Sequence, residues 1–254
     1  MSGRLTVIGL GPGDARWLTP EAHAALAAAE ALYGYSAYLD RAPVRPGQSR
    51  HPSDNREEQA RAAAALAHAA NGAHVALVSG GDPGIFAMAA AVCAAIEAGP
   101  PAWRELDLAI VPGVTAMLAV AARAGAPLGH DFCALSLSDN LKPWELIERR
   151  LEAAAGAGFV IAIYNPVSRA RPWQLGAAFD CVGRLLPGST PVIFGRAIGR
   201  DGEQVEVTTL SVAKSIAADM ATLVIVGSAE TRIVARRGQT PLVYTPREAA
   251  RAHA

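Results

Sequence analysis

The sequence predicts an α/β protein with two α/β domains, the first sheet mostly parallel and the second mixed, and an active-site cleft between them. Three observations carry that expectation. Apolar, strand-like runs alternate with alanine-rich helical stretches through the first half, the pattern of a parallel sheet covered by helices. Three of those runs end in glycine-bearing loops, "GLGPGD", "SGGDPG" and "VPGVT", and ligands of such sheets bind at the carboxyl ends of the strands. Beyond about residue 127 the alternation loosens, and two strand-like runs flank "GRDG" in the manner of an antiparallel pair. The expected domains are therefore residues 1–126 and 127–254.

Each element has its local reason. "RLTVIGLG" is an apolar strand. "TPEAHAALAAAEAL" is a helix, with Thr19 placed to cap it and Pro20 in its first turn. "DRAPVRPGQSRHPSDNR", rich in proline and arginine, reads as loop. "REEQARAAAALAHAANG" is a second helix, stopped by Asn71 and Gly72. "HVALVSGG" is a strand, followed after Asp82 and Pro83 by the helix "GIFAMAAAVCAAIEAG". "DLAIVPG" is a strand and "VTAMLAVAARAG" its helix. In the second half "FCALSLSD" and "FVIAIYNP" are strands separated by the helix "KPWELIERRLEAAAGAG". "TPVIFGRAI" and "GEQVEVTTL" are strands joined at a tight Asp201-Gly202 turn, and "MATLVIVGS" is the last long strand.

Composition narrows the classes. The 254 residues are 51% hydrophobic, enough for a sizeable core. Lys plus Arg is 23 and Asp plus Glu is 23, so the formal charge is zero, which argues against a broad basic surface for nucleic acid. Cys93, Cys133 and Cys181 lack metal or redox spacing and read as small buried hydrophobes, so no metal site is expected. Gly9, Gly11, Pro12 and Asp14 interrupt the first apolar run, which therefore does not read as a signal peptide. No apolar run reaches the roughly 18 residues of a membrane span. These features predict a soluble cytoplasmic protein with neither membrane nor nucleic-acid partner.

"VIGLGPGD" first suggests a dinucleotide-binding turn. That motif requires a third glycine at position 14, where this chain has Asp14, and a helix starting at once, whereas the helix here begins near Thr19. An aspartate in the turn repels phosphate. "SGGDPG" points to another ligand. Its glycines let the backbone come close, and Asp82 is suited to hydroxyls or a cation, features that fit the phosphate-free, cationic S-adenosylmethionine. Capping of the helix opening at Pro83-Gly84 is the alternative role for Asp82.

"VIGLGPGD", "SGGDPGIF", "VPGVTA", "YNP" and "ATLVIVG" occur in this chain in the order seen in the tetrapyrrole methylases of corrin and sirohaem synthesis, and the chain resembles that family over nearly its whole length. "LSLSDNLKPWELIERRL" and "YNPVSRAR" resemble its ring-contracting branch. The resemblance implies a homodimer that uses S-adenosylmethionine, releases S-adenosylhomocysteine and acts on an anionic tetrapyrrole, with transient handover between neighbouring pathway enzymes. It implies cofactor contacts at Gly81, Asp82, Ile85, Phe86, Thr115 and Ala116, and further ones at Tyr164, Asn165, Ala197 and Thr222. It also implies that Gly11 and Pro12 of the first loop face the tetrapyrrole.

Methyl transfer from a sulfonium needs alignment and exclusion of water more than a catalytic constellation. Ring contraction benefits from proton transfers, for which Asp14 and Asp139 are the candidates; an Asx turn is the structural alternative for Asp14. His130 is placed at a domain junction, where a structural role is expected. Arg41, Arg45 and Arg50 of the proline-rich loop and Lys142, Arg169 and Arg171 of the second half are the candidates for the substrate's carboxylates. Trp144 and Trp173 suit either a macrocycle face or core packing. Other readings are methylation at another ring carbon, a cobalt-containing substrate, or a non-catalytic module that binds adenosine derivatives or tetrapyrroles.

Overall fold

The computed structural model describes residues 3–248. The chain forms two compact units, one ending at Ala116 and the other starting at Met117.

The first unit contains β1 (Arg4–Gly9), α1 (Pro20–Ala28), β2 (Ala31–Tyr35), α2 (Ser36–Leu39), β3 (Ser49–Ser53), α3 (Glu58–Ala70), β4 (His74–Ser79), α4 (Met88–Ala98) and β5 (Asp107–Val111). Its strands lie in the order β3-β2-β4-β1-β5, and every pair is parallel. The central strands β1 and β4 are buried beyond their first residue, as expected of strands with helices on both faces. On one face Leu5, Val7 and Leu77 pack against Ala62, Ala65 and Leu66 of α3 and Val92 of α4. On the other, Ile8, Leu32 and Val78 pack against Ala22 and Leu26 of α1. Each fully buried leucine or isoleucine contributes about 1.5–3 kcal/mol. Thr19 Oγ1 accepts from the Ala22 N–H at 3.0 Å, the expected cap of α1.

Two strands of this sheet lie where the sequence suggested a helix end and a loop. Helix α1 stops at Ala28, because Ala29 turns to an extended conformation, and Ala31 and Leu32 are then buried between neighbouring strands. Burial in the sheet overrides the helical preference of an alanine-rich run. Strand β3, "SRHPS", pairs only with β2, so its polar residues and Pro52 sit on an edge. Helix α4 begins at Met88, four residues later than "GIFAM" suggested, and Cys93 on it is exposed rather than buried.

The second unit contains α5 (Ala116–Ala124), β6 (Gly125–Ala126), β7 (Phe132–Ser136), α6 (Trp144–Gly156), β8 (Val160–Tyr164), α7 (Gln174–Gly183), β9 (Pro191–Arg196), β10 (Gln204–Thr209), α8 (Leu210–Ala213), β11 (Thr222–Val226), β12 (Arg232–Val234) and β13 (Leu242–Tyr244). The larger sheet runs β10-β9-β11-β8-β7; only β7 and β8 are adjacent and parallel, so the sheet is mixed. Ile147 and Leu151 of α6 and Phe179 and Val182 of α7 cover Ile161, Ile163, Val224 and Val226. A small sheet, β12-β13-β6, was not foreseen. The β9–β10 connection is residues 197–203, with Gly199 and Gly202 at positive φ, so it is longer than a two-residue hairpin turn. The unit boundary lies at Ala116 rather than at residue 126 because α5 packs on the second sheet: a Cβ at Gly195 of β9 would fall 2.2 Å from Val120 Cγ2.

That contact predicts opposite signs for two glycine substitutions. Gly195→Ala overpacks the α5–β9 contact and lowers stability by about 1–3 kcal/mol. Gly176→Ala, in α7 where an added Cβ meets nothing within 4 Å, raises it by about 0.5 kcal/mol. Urea denaturation of the two variants checks both values.

Candidate functional site

Three loops leave the carboxyl ends of β1, β4 and β5, and they are joined main chain to main chain. Gly11 and Gly81 exchange hydrogen bonds, Gly11 N to Gly81 O at 3.1 Å and Gly81 N to Gly11 O at 2.9 Å. A Cβ on Gly113 would fall 2.2 Å from Gly81 O and 2.9 Å from Gly9 Cα, and one on Gly9 would fall 2.6 Å from Gly113 N. Gly9 and Gly113 therefore serve the approach of the loops to one another. Gly81 differs. It has φ +66, and an added Cβ would meet nothing nearer than Thr115 Cα at 3.8 Å, so its surface stays open.

Asp82 fastens this assembly. Its Oδ1 accepts from Gly84 N at 2.8 Å and its Oδ2 from Gly113 N at 3.0 Å. The first bond closes an Asx turn, and the second ties the β4 loop to the β5 loop. It does not cap α4, which starts six residues on. Ile85 is half-buried, Phe86 is exposed with φ +51, Thr115 is buried and Ala116 opens α5.

At the first loop Gly11 and Gly13 are buried and Pro12 is half-buried. Asp14 is exposed and closes the expected Asx turn: its Oδ1 accepts from Arg16 N at 3.0 Å, and its carboxylate pairs with the Arg16 guanidinium at 2.8 Å. The Arg16 side-chain and backbone bonds hold the Asp14 carboxyl below the usual carboxylate range, which suits an ionised acceptor rather than an acid. Arg41 donates to the carbonyls of Gly11 and Gly13, so its guanidinium is turned onto the loop. Arg45 is exposed.

In the second unit the predicted residues gather at one end of the larger sheet. Tyr164 ends β8, Asn165 follows it, Ala197 follows β9, and Thr222 begins the antiparallel β11, paired with Arg196. Tyr164 Oη accepts from Met117 N at 3.2 Å, and Asn165 Nδ2 donates to Ser136 Oγ at 2.9 Å. Thr222 is buried, and its hydroxyl donates to Asp219 Oδ1 at 2.8 Å. Phe86, Asn165 and Ala197 are the described non-glycine residues with positive φ, and each is a predicted cofactor contact. Backbone strain of this kind concentrates at ligand sites.

Asp139 and Arg171, predicted for separate roles, are bonded to each other. Arg171 also reaches Asn140 Oδ1 at 2.7 Å. Lys142 donates to Ser138 O at 3.2 Å, and burial, with Arg150 adding to it, lowers its pKa. Arg169 is exposed. Trp144 and Trp173 meet edge to face at 4.8 Å between ring centroids. His130 Nδ1 accepts from Asp131 N at 2.7 Å, a local structural bond. A cavity of about 310 Å³ lies apart from the glycine loops, beside α1, lined by Arg4, Glu21, Ala25 and His74. Among the described residues no group of three or more His, Cys, Asp or Glu is arranged to hold a metal ion, and no helix is long and apolar enough to cross a membrane.

The sequence reading missed three supports. Arg61 is buried on α3 and donates to Ser53 Oγ at 2.6 Å and to Asp54 O; an arginine within the apolar stripe of Ala62, Ala65, Leu66 and Ala69 was its visible signal. Ser136 receives Asn165 and Ser138 N. Asp219 holds Thr222, Ala221 N at 2.9 Å and Arg196 at 2.8 Å. Neither of the last two stands out in sequence.

Residues 4–213 match the family described as Tetrapyrrole (Corrin/Porphyrin) Methylases. The chain is 64% identical over 247 residues to a Sinorhizobium sp protein named precorrin-3B C(17)-methyltransferase, covering 97% of each. It is 41% identical to a Salmonella typhimurium protein named probable cobalt-factor III C(17)-methyltransferase, covering 96% of this chain and 98% of that one. It is similar to the crystal structure of the methyltransferase CobJ, with TM-score 0.89 and 46% identity, covering 96% of this chain and 100% of that one.

Asp219 makes the second site acid-sensitive. Burial raises its pKa, but the bonds from Thr222, Arg196 and Ala221 together outweigh burial and the net shift is downward. A folded-state pKa below the unfolded one gives stability that is present above the unfolded value, about 3.9, and is lost as pH falls through the folded value. Wild type therefore loses more stability than Asp219→Asn between pH 5 and pH 3, and urea midpoints across that range check it. The pair is partly exposed, so high salt narrows the difference.

Proposed function

The chain belongs to the tetrapyrrole (corrin/porphyrin) methylases, and on that premise we propose that it methylates precorrin-3B at C(17) with ring contraction, giving precorrin-4. The observation that carries this reading is the 64% identity to the Sinorhizobium protein of that name over nearly the full length of both chains. The higher identity to that relative than to the 41% identical cobalt-factor III protein favours the metal-free substrate.

The residues present suit S-adenosylmethionine. Gly81 offers an open surface at positive φ, and the left-handed backbone at Phe86, Asn165 and Ala197 supports the contacts assigned to them. When bound, the cofactor supplies a methyl group on an already activated sulfonium. The chain's part is then to hold, orient and exclude water. Asp82 acts on binding indirectly, by fixing the loop on which Gly81 and Ile85 sit. Thr222 contributes its backbone and methyl face, since its hydroxyl is engaged by Asp219. Asp14, kept ionised by Arg16, accepts pyrrole N–H bonds rather than supplying a proton. Asp139 holds Arg171 in place, and Arg45, Lys142 and Arg169 receive substrate carboxylates. The same reading includes a homodimer, handover of the tetrapyrrole between neighbouring enzymes, and a cytoplasmic setting.

Incubation with S-adenosylmethionine and either precorrin-3B or its cobalt-containing equivalent tests the reaction. A ring-contracted, C(17)-methylated product from the metal-free substrate is expected; methylation at another carbon, or turnover of the cobalt form alone, sinks the reading. Asp82→Asn places an amide where two N–H donors converge, and weakens S-adenosylhomocysteine binding about tenfold or more by calorimetry. Asp14→Asn leaves that affinity within about twofold and lowers kcat/KM for the tetrapyrrole about tenfold.

A further inference from the structure

We propose that Arg41 is a positioning residue, which sets the first glycine loop for the tetrapyrrole by holding its carbonyls rather than by binding substrate; this rests on the methylase reading above. Arg41 lies just beyond α2. Its Nη2 donates to Gly11 O at 2.7 Å and to Gly13 O at 2.8 Å, and its Nε donates to Gly13 O at 3.2 Å. The two carbonyls flank Pro12, so one planar guanidinium spans the bend of the loop.

The loop needs such a hold. Its base is tied by the exchanged bonds between Gly11 and Gly81, but its tip runs through Pro12 and Gly13 to the exposed Asp14. Arg41 reaches the tip from a segment that is itself fixed. Leu39 and Ala42 are buried, and their carbonyls accept from Arg50 Nη2 at 2.7 and 2.9 Å. The Arg41 guanidinium stands 5.9 Å from the Tyr38 ring centroid. The same ring lies against the second loop, where a Cβ on Gly80 would fall 2.7 Å from it. Residues 38–41 thus touch both loops and set one against the other. A lysine at position 41 keeps the charge but lacks the planar fork that serves two carbonyls together.

The test compares the full-length wild type with Arg41→Lys and Arg41→Ala. Hydrogen exchange without tetrapyrrole reads the loop itself. Faster exchange in peptides covering residues 10–18 of both variants is expected, with peptides of β4 unchanged. S-adenosylhomocysteine affinity stays within about twofold, and KM for the tetrapyrrole rises about tenfold with a smaller change in kcat. A raised KM with unchanged loop exchange overturns the proposal and assigns Arg41 to direct substrate contact. Full rescue by Arg41→Lys also overturns it, because charge alone would then suffice. Faster exchange throughout the first sheet, with lost cofactor affinity, reduces Arg41 to a general stabilising role and overturns it as well. The exchange arm needs no turnover: a wild type inert toward tetrapyrroles sinks the methylase reading, while loop exchange still decides what Arg41 holds.

Discussion

Gly9, Gly81 and Gly113 come from three different strand ends, and the main chains of Gly9 and Gly113 touch where any other residue would place a side chain. Each carboxylate oxygen of Asp82 accepts a further bond, one from Gly84 N within its own loop and one from Gly113 N. The path of the second loop follows from this junction. With its start pinned, the chain turns back through Pro83 and Gly84, reaches Phe86 in a left-handed conformation, and only then enters α4. The delay before the helix leaves a stretch of ordered, non-helical backbone at the sheet end, and such backbone can present N–H and C=O groups to a ligand.

The second unit reaches a comparable result with other means. There Asn165 and Ala197 take the left-handed conformation that Phe86 takes in the first unit. Asn165 is steadied by Ser136 on the neighbouring strand. Ala197 donates its N–H to Ala221 O at 3.0 Å, and Ala221 is held in turn by Asp219. Unfavourable dihedrals persist when the surroundings over-determine them. Here that means the Ser136 hydroxyl beside Asn165 and, behind Ala197, a carbonyl on a segment that the Asp219 carboxylate holds.

Much of the scaffold was legible in the sequence because long apolar runs and helix caps speak locally. β1, β4, β8 and β11 are nearly continuous apolar segments, and Thr19 and Asn71 mark helix ends as capping chemistry requires. β2 was not legible, since five residues including Gly34 follow an alanine-rich helix without a break, and their strand state depends on neighbours distant in sequence. α7 carries Gly176 and Gly183, which weaken its helical signal. At the site, motifs indicated which loops matter but not what their side chains do. Asp82 and Arg41 bond to main chain that other segments deliver, and Asp139 meets Arg171 across a separation of 32 residues. Those pairings are tertiary facts with no local periodicity to announce them.

The outer strand β3 has a bearing on how the protein behaves among its neighbours. An open sheet edge is a template on which another chain can add a strand, and edges that are long, flat and apolar invite that addition. "SRHPS" is short and polar, and Pro52 has no N–H to offer in either direction. In a crowded, partly folded population, newly made copies are thus discouraged from zipping together along that side, and this edge needs no net charge to do it.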